Sequence, residues 1–212
     1  MVEPLALRRN WQGRHKPGSV RGLEELGRVR LSRNFFLRDF LLSEIAVVYG
    51  LRNVPDNPDL AIEAGKKLCE ELLEPIQSKF GRVAIRSAYR SCAVNALGNH
   101  LGLSCASNER NYARHIWDRR ARDGSIGAMA CIVVPWLVDH VAKGGDWKEM
   151  AWWIHRHLPY SELQFFPRLT AFNIGWRERP RRRIYSFIRP RGLLTLQETP
   201  NSGREHLALA ST

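Results

Sequence analysis

Two apolar segments bracket a polar stretch in the middle of the chain. Val83 to Tyr89 alternates apolar and polar positions, whereas Gly127 to Pro135 is almost continuously apolar. Alternation with period two predicts a strand with one face in a core, and a short unbroken apolar run predicts a strand buried on both faces. Upstream, Leu60, Ala64, Leu68, Leu72, Ile76 and Phe80 recur every fourth residue and predict a helix. Asn57 is placed to cap it, Pro58 suits its first turn, Asp59 complements the positive end of its dipole and Gly81 stops it. Pro75 falls inside this span and is expected to bend the last turn or begin a new one. Before it, Leu37, Phe40, Leu41, Glu44, Ile45 and Val48 fall at the spacing of one helix that Gly50 can end.

Downstream, Asp146 can cap a helix through Trp147, Met150, Ala151, Ile154 and Leu158, closed by Pro159. Tyr160 to Phe166 and Ala171 to Trp176 read as strands, and Ile184 to Ile188 with Leu193 to Leu196 predicts a final hairpin. Residues 99 to 126 carry no period, and a connection of that length is commonly functional or disordered. The pattern predicts an α+β fold. Three zones follow: a basic N-terminal arm or loosely docked lead-in over 1–30, one domain over 31–197, and a disordered tail over 198–212.

Composition changes this picture in one respect. The 212 residues, 44% hydrophobic and 25% charged, suit a single globular domain, but the net charge of +12 is unusual. It implies attraction to polyanions such as nucleic acid, anionic cell-wall polymer or a membrane surface. The basic clusters at Arg119 to Arg122 and Arg177 to Arg183, interleaved with Trp117, Trp176 and Tyr185, suit phosphate contacts and occasional base stacking. An ordinary solvated face is the competing reading. The four cysteines, without a Cys-x-x-Cys pair, fit a reducing compartment. No signal-peptide core is found in the first twenty residues and no apolar run approaches a membrane span, so a cytoplasmic location is expected, with release by lysis if the chain is phage-derived.

The candidate chemistry lies between the two apolar segments. Ser87-Ala88-Tyr89-Arg90-Ser91 with Asn95, followed by His115 and by Gly127-Ala128-Met129-Ala130-Cys131, resembles the motifs of the zinc D-Ala-D-Ala carboxypeptidases, whose fold is shared with the Hedgehog signalling domain. Members carry Ser-Gly-Tyr-Arg-Ser with a following Asn, then Ser-x-His-x-x-Gly-x-Ala-x-Asp, then Glu-x-x-Trp-x-His. The resemblance implies that fold, a small, mostly antiparallel sheet with helices packed on one face, over roughly 31–188, and a zinc ion held by His115 and Cys131. It also implies that Arg90 meets a peptide carboxylate or the charge developing on a carbonyl oxygen, with Tyr89, Ser91, Asn95 and Asn173 beside the substrate.

The chain departs from the family pattern at several places. Ala88 replaces Gly, Met129 replaces Ala, and Cys131 stands where the ligand Asp belongs; thiolate is itself a good zinc ligand. Between His115 and Gly127 there are nine residues more than the family spacing. The last motif aligns in two ways. Glu149 to His155 has the right residue types in a helical pattern, whereas the order of elements leads to Gln164-Phe165-Phe166 and Phe172-Asn173-Ile174, with Asn173 where the ligand His belongs. Asp118, three residues beyond His115, would share a face with it on a helical turn, as a replacement ligand or as the group that orients the imidazole. His155 and His157 offer further nitrogens. Each has a plainer reading: Cys131 as a small core hydrophobe, Arg90 as a brace for its turn, the histidines as surface or capping groups.

Two functions follow. One is zinc-dependent hydrolysis of an amide in a peptide or peptidoglycan fragment. The other is a catalytically inactive descendant whose basic surface binds nucleic acid or another polyanion.

Overall fold

The computed structural model describes residues 16–195. The expected tail over 198–212 and the first half of the expected arm lie outside the described residues. The rest of that arm contains a capped helix. Ser19 Oγ accepts from Gly22 N at 3.1 Å and starts helix α1 (Val20–Gly27), whose Leu26 is fully buried. The Arg38 side chain lies across the end of this helix, against Gly27.

The single helix expected over 37–48 is two pieces. Leu37–Phe40 form a 3-10 turn that buries Leu37 and Phe40, and Ser43 then caps a short α2 (Glu44–Val48) by accepting from Ala46 N. A serine side chain that bonds the backbone ahead of it starts a new helix more readily than it continues an old one. Val48 consequently stays out of the core, 73% exposed.

The long amphipathic stripe is observed as α3 (Pro58–Leu68), a wide π turn over Cys69–Leu73, and α4 (Glu74–Phe80). Asn57 Oδ1 accepts from Leu60 N at 3.3 Å, as the cap predicts. Pro75 stands in the first turn of α4, directly after the π turn, and the backbone stays helical across the junction, with Leu73 and Glu74 both right-handed helical. Ala64, Leu68, Leu72 and Ile76 are fully buried against the sheet.

That sheet contains β1 (Ala84–Ser87), β2 (Gly127–Val133), β3 (Glu162–Phe165), β4 (Phe172–Arg177), β5 (Arg183–Ser186) and β6 (Gly192–Leu193), in the order β1-β2-β4-β3-β5-β6. It is mixed, because β3 and β5 run parallel while the other neighbours are antiparallel. Helices α5 (Cys92–His100) and α6 (Asn108–Asn111) lie between β1 and β2, and α7 (Pro135–Ala142) and α8 (Lys148–His157) between β2 and β3. The sequence pattern did not show α7, whose Pro135 takes a first-turn position directly after the buried strand.

The alternation along the strands divides the sheet into two faces. Ala128, Ala130, Ile132, Leu163, Phe165, Phe172, Ile174, Trp176 and Ile184 enter the core, where α3 packs on β2 and β4. Cys131, Asn173, Gln164 and Tyr185 belong to the opposite face. Among the described residues, no helix is long and apolar enough to cross a membrane.

Candidate functional site

Hydrogen-bond register aligns one row of side chains across the second face. Ser87 pairs with Cys131, Cys131 with Asn173, Asn173 with Gln164, and Gln164 with Tyr185. Direct partners on neighbouring strands project to the same side. Asn173 Nδ2 donates to Gln164 Oε1 at 2.9 Å, which fixes its amide within the row.

A cleft of about 690 Å³ opens over this row. Ser87, Cys131 and Asn173 form its floor, and Ile45, Val48 and Phe166 supply apolar walls from α2 and from the end of β3. Three guanidiniums, those of Arg86, Arg90 and Arg168, line it together with a single carboxylate, that of Glu44. Arg168 is presented by a tight connection in which Leu169 and Thr170 hold left-handed φ values of 57° and 45°, a backbone state that L-residues adopt at a cost.

The five-residue motif builds the rim. Ser91 Oγ caps α5 by accepting from Val94 N at 3.3 Å and donates to Arg52 O at 3.2 Å. Asn53 clamps the turn, donating to Leu41 O and Tyr89 O while its Oδ1 accepts from Ser91 N at 2.7 Å. Tyr89 is buried with its ring against Trp117. Asn95, fully buried, donates to Ala106 O at 3.0 Å and Asn108 Oδ1 at 2.8 Å, and accepts from Asn111 Nδ2 at 2.8 Å. Tyr89, Ser91 and Asn95, expected beside a substrate, thus hold the loop in place and do not line the cleft. Arg90 does reach it, with its Nη1 2.6 Å from Cys105 Sγ and 3.4 Å from Asn95 Oδ1.

His115 is elsewhere. Its Nδ1 lies 2.8 Å from Ala88 O, its backbone carbonyl accepts from Arg90 N at 2.8 Å, and the ring is buried outside the cleft lining. Burial, with the Arg90 charge nearby, pushes its pKa down to about 3, so the imidazole is neutral at pH 7. Asp118 does not share a helical face with it, since residues 112 to 119 form turns. Instead the Asp118 carboxylate accepts from Asp56 N at 2.7 Å and Asn57 N at 3.4 Å, tying the loop to the start of α3. His155, on α8, bonds the Tyr160 hydroxyl through Nδ1 at 2.7 Å and is also remote from the cleft lining. His157 Nδ1 lies 2.8 Å from Trp153 O.

Zinc requires three or more converging His, Cys or carboxylate donors. Among the described residues no such group is gathered. Cys131 stands on the floor with Arg86 and Arg90 close by, and burial raises its thiol pKa, against the opposing pull of those two charges. A protonated thiol among guanidiniums does not fit a divalent cation, so the donor set differs from the one the resemblance implies.

Sequence reasoning does not mark Arg86, Arg168, Glu44 or Cys105 as site residues. Arg86 carried a faint signal as the charged position of an alternating strand; Arg168 and Cys105 reach the cleft only through the paths of their loops. Comparison with protein-family models, with curated proteins and with solved structures returns no match.

Proposed function

We propose that this chain is a ligand-binding domain on a scaffold similar to that of the D-Ala-D-Ala carboxypeptidases, and that its cleft takes the carboxylate end of a short peptide. The observation that carries the reading is the meeting of three guanidiniums with an apolar wall over the Cys131–Asn173 pair. A guanidinium pairs with a carboxylate through two parallel N–H donors, and apolar walls accept the adjoining small side chains. Arg90 is held by the motif loop, while Arg86 and Arg168 stand exposed at the mouth and can close on the ligand. The same place on the scaffold is where the resemblance puts a substrate carboxylate, so the pocket keeps its ligand class while its floor changes chemistry.

The test is calorimetry with a peptide ending in D-Ala-D-Ala and with the C-terminal amide of the same peptide. The free acid is expected to bind at least about tenfold more tightly, a difference of about 1.4 kcal/mol, and Arg86→Ala with Arg168→Ala is expected to remove that preference. Equal affinity for acid and amide would overturn the reading. Elemental analysis belongs beside it: about one zinc per chain, lost in Cys131→Ala, would replace binding with zinc-dependent hydrolysis.

A further inference from the structure

A second recess, of about 630 Å³, lies on the same side of the sheet, at the other end of β4. Arg110, Arg114, Arg122, Arg177, Arg181 and Arg183 line it, drawn from α6, the loop after it, β4, the β4–β5 connection and β5. Only Glu109, Asp123 and Glu162 oppose them, which leaves three positive charges in excess. The residues by which the His115–Gly127 spacing exceeds the family pattern contribute directly, since Ala121, Arg122 and Asp123 form part of the wall.

Some of these charges have structural work. Arg177 is 7% exposed, donating to Ser125 Oγ and Asp123 Oδ1, each at 2.7 Å. Arg114 and Arg181 share one carboxylate, that of Glu162. Arg114 is nonetheless under-compensated: its Nε is buried without a hydrogen-bond partner. Burial, together with the repulsion of Arg181, Arg110 and Arg177, lowers its pKa against the pull of Glu162. Gathering like charges around a half-buried guanidinium opposes folding, and such local conflicts concentrate at functional sites.

We infer that this recess binds a phosphate group, independently of the carboxylate cleft. A tetrahedral oxyanion offers acceptors in several directions and up to two negative charges, which suits guanidiniums converging from separate elements better than a planar carboxylate does. The group can belong to a free phosphate compound or to a nucleic-acid backbone, and the two sources are separated by experiment.

Pyrophosphate binding to the full chain is measured by calorimetry, and binding of a short fluorescein-labelled single-stranded oligonucleotide by anisotropy, at about 50 mM and about 200 mM salt. Wild type is expected to bind pyrophosphate, and Arg122→Ala with Arg183→Ala, both exposed positions, to weaken it about tenfold. Arg110→Glu is the second variant, expected to weaken it similarly. Arg86→Ala with Arg168→Ala should leave it unchanged. If the source is nucleic acid, the oligonucleotide binds more tightly than pyrophosphate, loses about tenfold or more in affinity between the two salt concentrations, and responds to the same recess variants. Pyrophosphate binding alone assigns a small phosphate ligand. Failure of both probes to bind at low salt overturns the inference, as does binding that the recess variants leave intact.

Discussion

Cys131 and Asn173 stand directly opposite one another on β2 and β4, on the face of the sheet that the cleft exposes. These are the positions where the family resemblance expects two metal ligands, and here both are neutral groups beside three guanidiniums. Neutral residues leave the cleft's positive potential undiminished. Asn173→Asp places a carboxylate within it and is expected to weaken peptide-carboxylate binding about tenfold, about 1.4 kcal/mol. Calorimetry reads the loss, and an unchanged affinity would show that the potential at the floor does not govern binding.

His115 makes stability depend on pH. Its folded pKa, held at about 3 by burial, lies well below the ordinary value near 6.5. Below about pH 6.5 the unfolded chain therefore takes up a proton that the folded chain refuses. The stability associated with the neutral ring is full above that pH and declines as pH falls, by up to about 1.4 kcal/mol per pH unit. Urea unfolding of wild type and His115→Gln between about pH 7 and pH 5 should show a shallower slope in the variant. Identical slopes would mean that the ring is not buried neutral.

Trp117 is fully buried over Gly65 of α3. A Cβ at Gly65 would stand 2.9 Å from the Trp117 ring and 3.2 Å from Leu31 Cδ1. The helix would gain up to about 1 kcal/mol from alanine, but overpacking costs about 1–3 kcal/mol. Gly65→Ala is expected to lower stability by about 1 kcal/mol in denaturant titration. Gly127→Ala should be much worse, since its Cβ would meet two backbone oxygens, Ala113 O at 2.5 Å and Trp176 O at 2.8 Å. A Gly65→Ala protein more stable than wild type would count against this packing.

Asp118 fastens the loop before β2 to the start of α3 through two backbone N–H groups. Asp118→Ala removes a charged, buried acceptor from both N–H groups and is expected to cost about 1.5–3 kcal/mol, whereas Asp118→Asn keeps an acceptor oxygen and should cost less. Thermal unfolding of the two variants measures the difference. Equal losses would assign the effect to the charge, through Arg119 3.7 Å away, instead of to the backbone bonds.

Several elements were legible in the residues alone. The fourfold stripe of α3 and α4, the Asn57 cap, the strands either side of the motif loop and the closing hairpin all follow from local periodicity and local capping. Arg90, Cys131 and Asn173 were also named from a motif and an order of elements, and the structure brings all three to the lining of one cleft. The helix α1, the break at Ser43 and the fold of residues 99 to 126 were not legible. The last has few apolar residues, yet residues 113 and 115 to 118 are buried, held by bonds to Ala88, Arg90, Asp56 and Met129 far away in sequence.

What the sequence determined by itself, then, is the stripe and the Asn57 cap of α3, which strand face is apolar, and how much positive charge the chain carries. Tertiary structure alone decided which of those charges meet. Arg86, Arg90 and Arg168 converge because β1, its following turn and the β3–β4 connection open onto one side of the sheet. His115 and Asp118 lie three residues apart yet bond to different segments, His115 to Ala88 O and Asp118 to Asp56 N, because the fold brings those backbone groups against them.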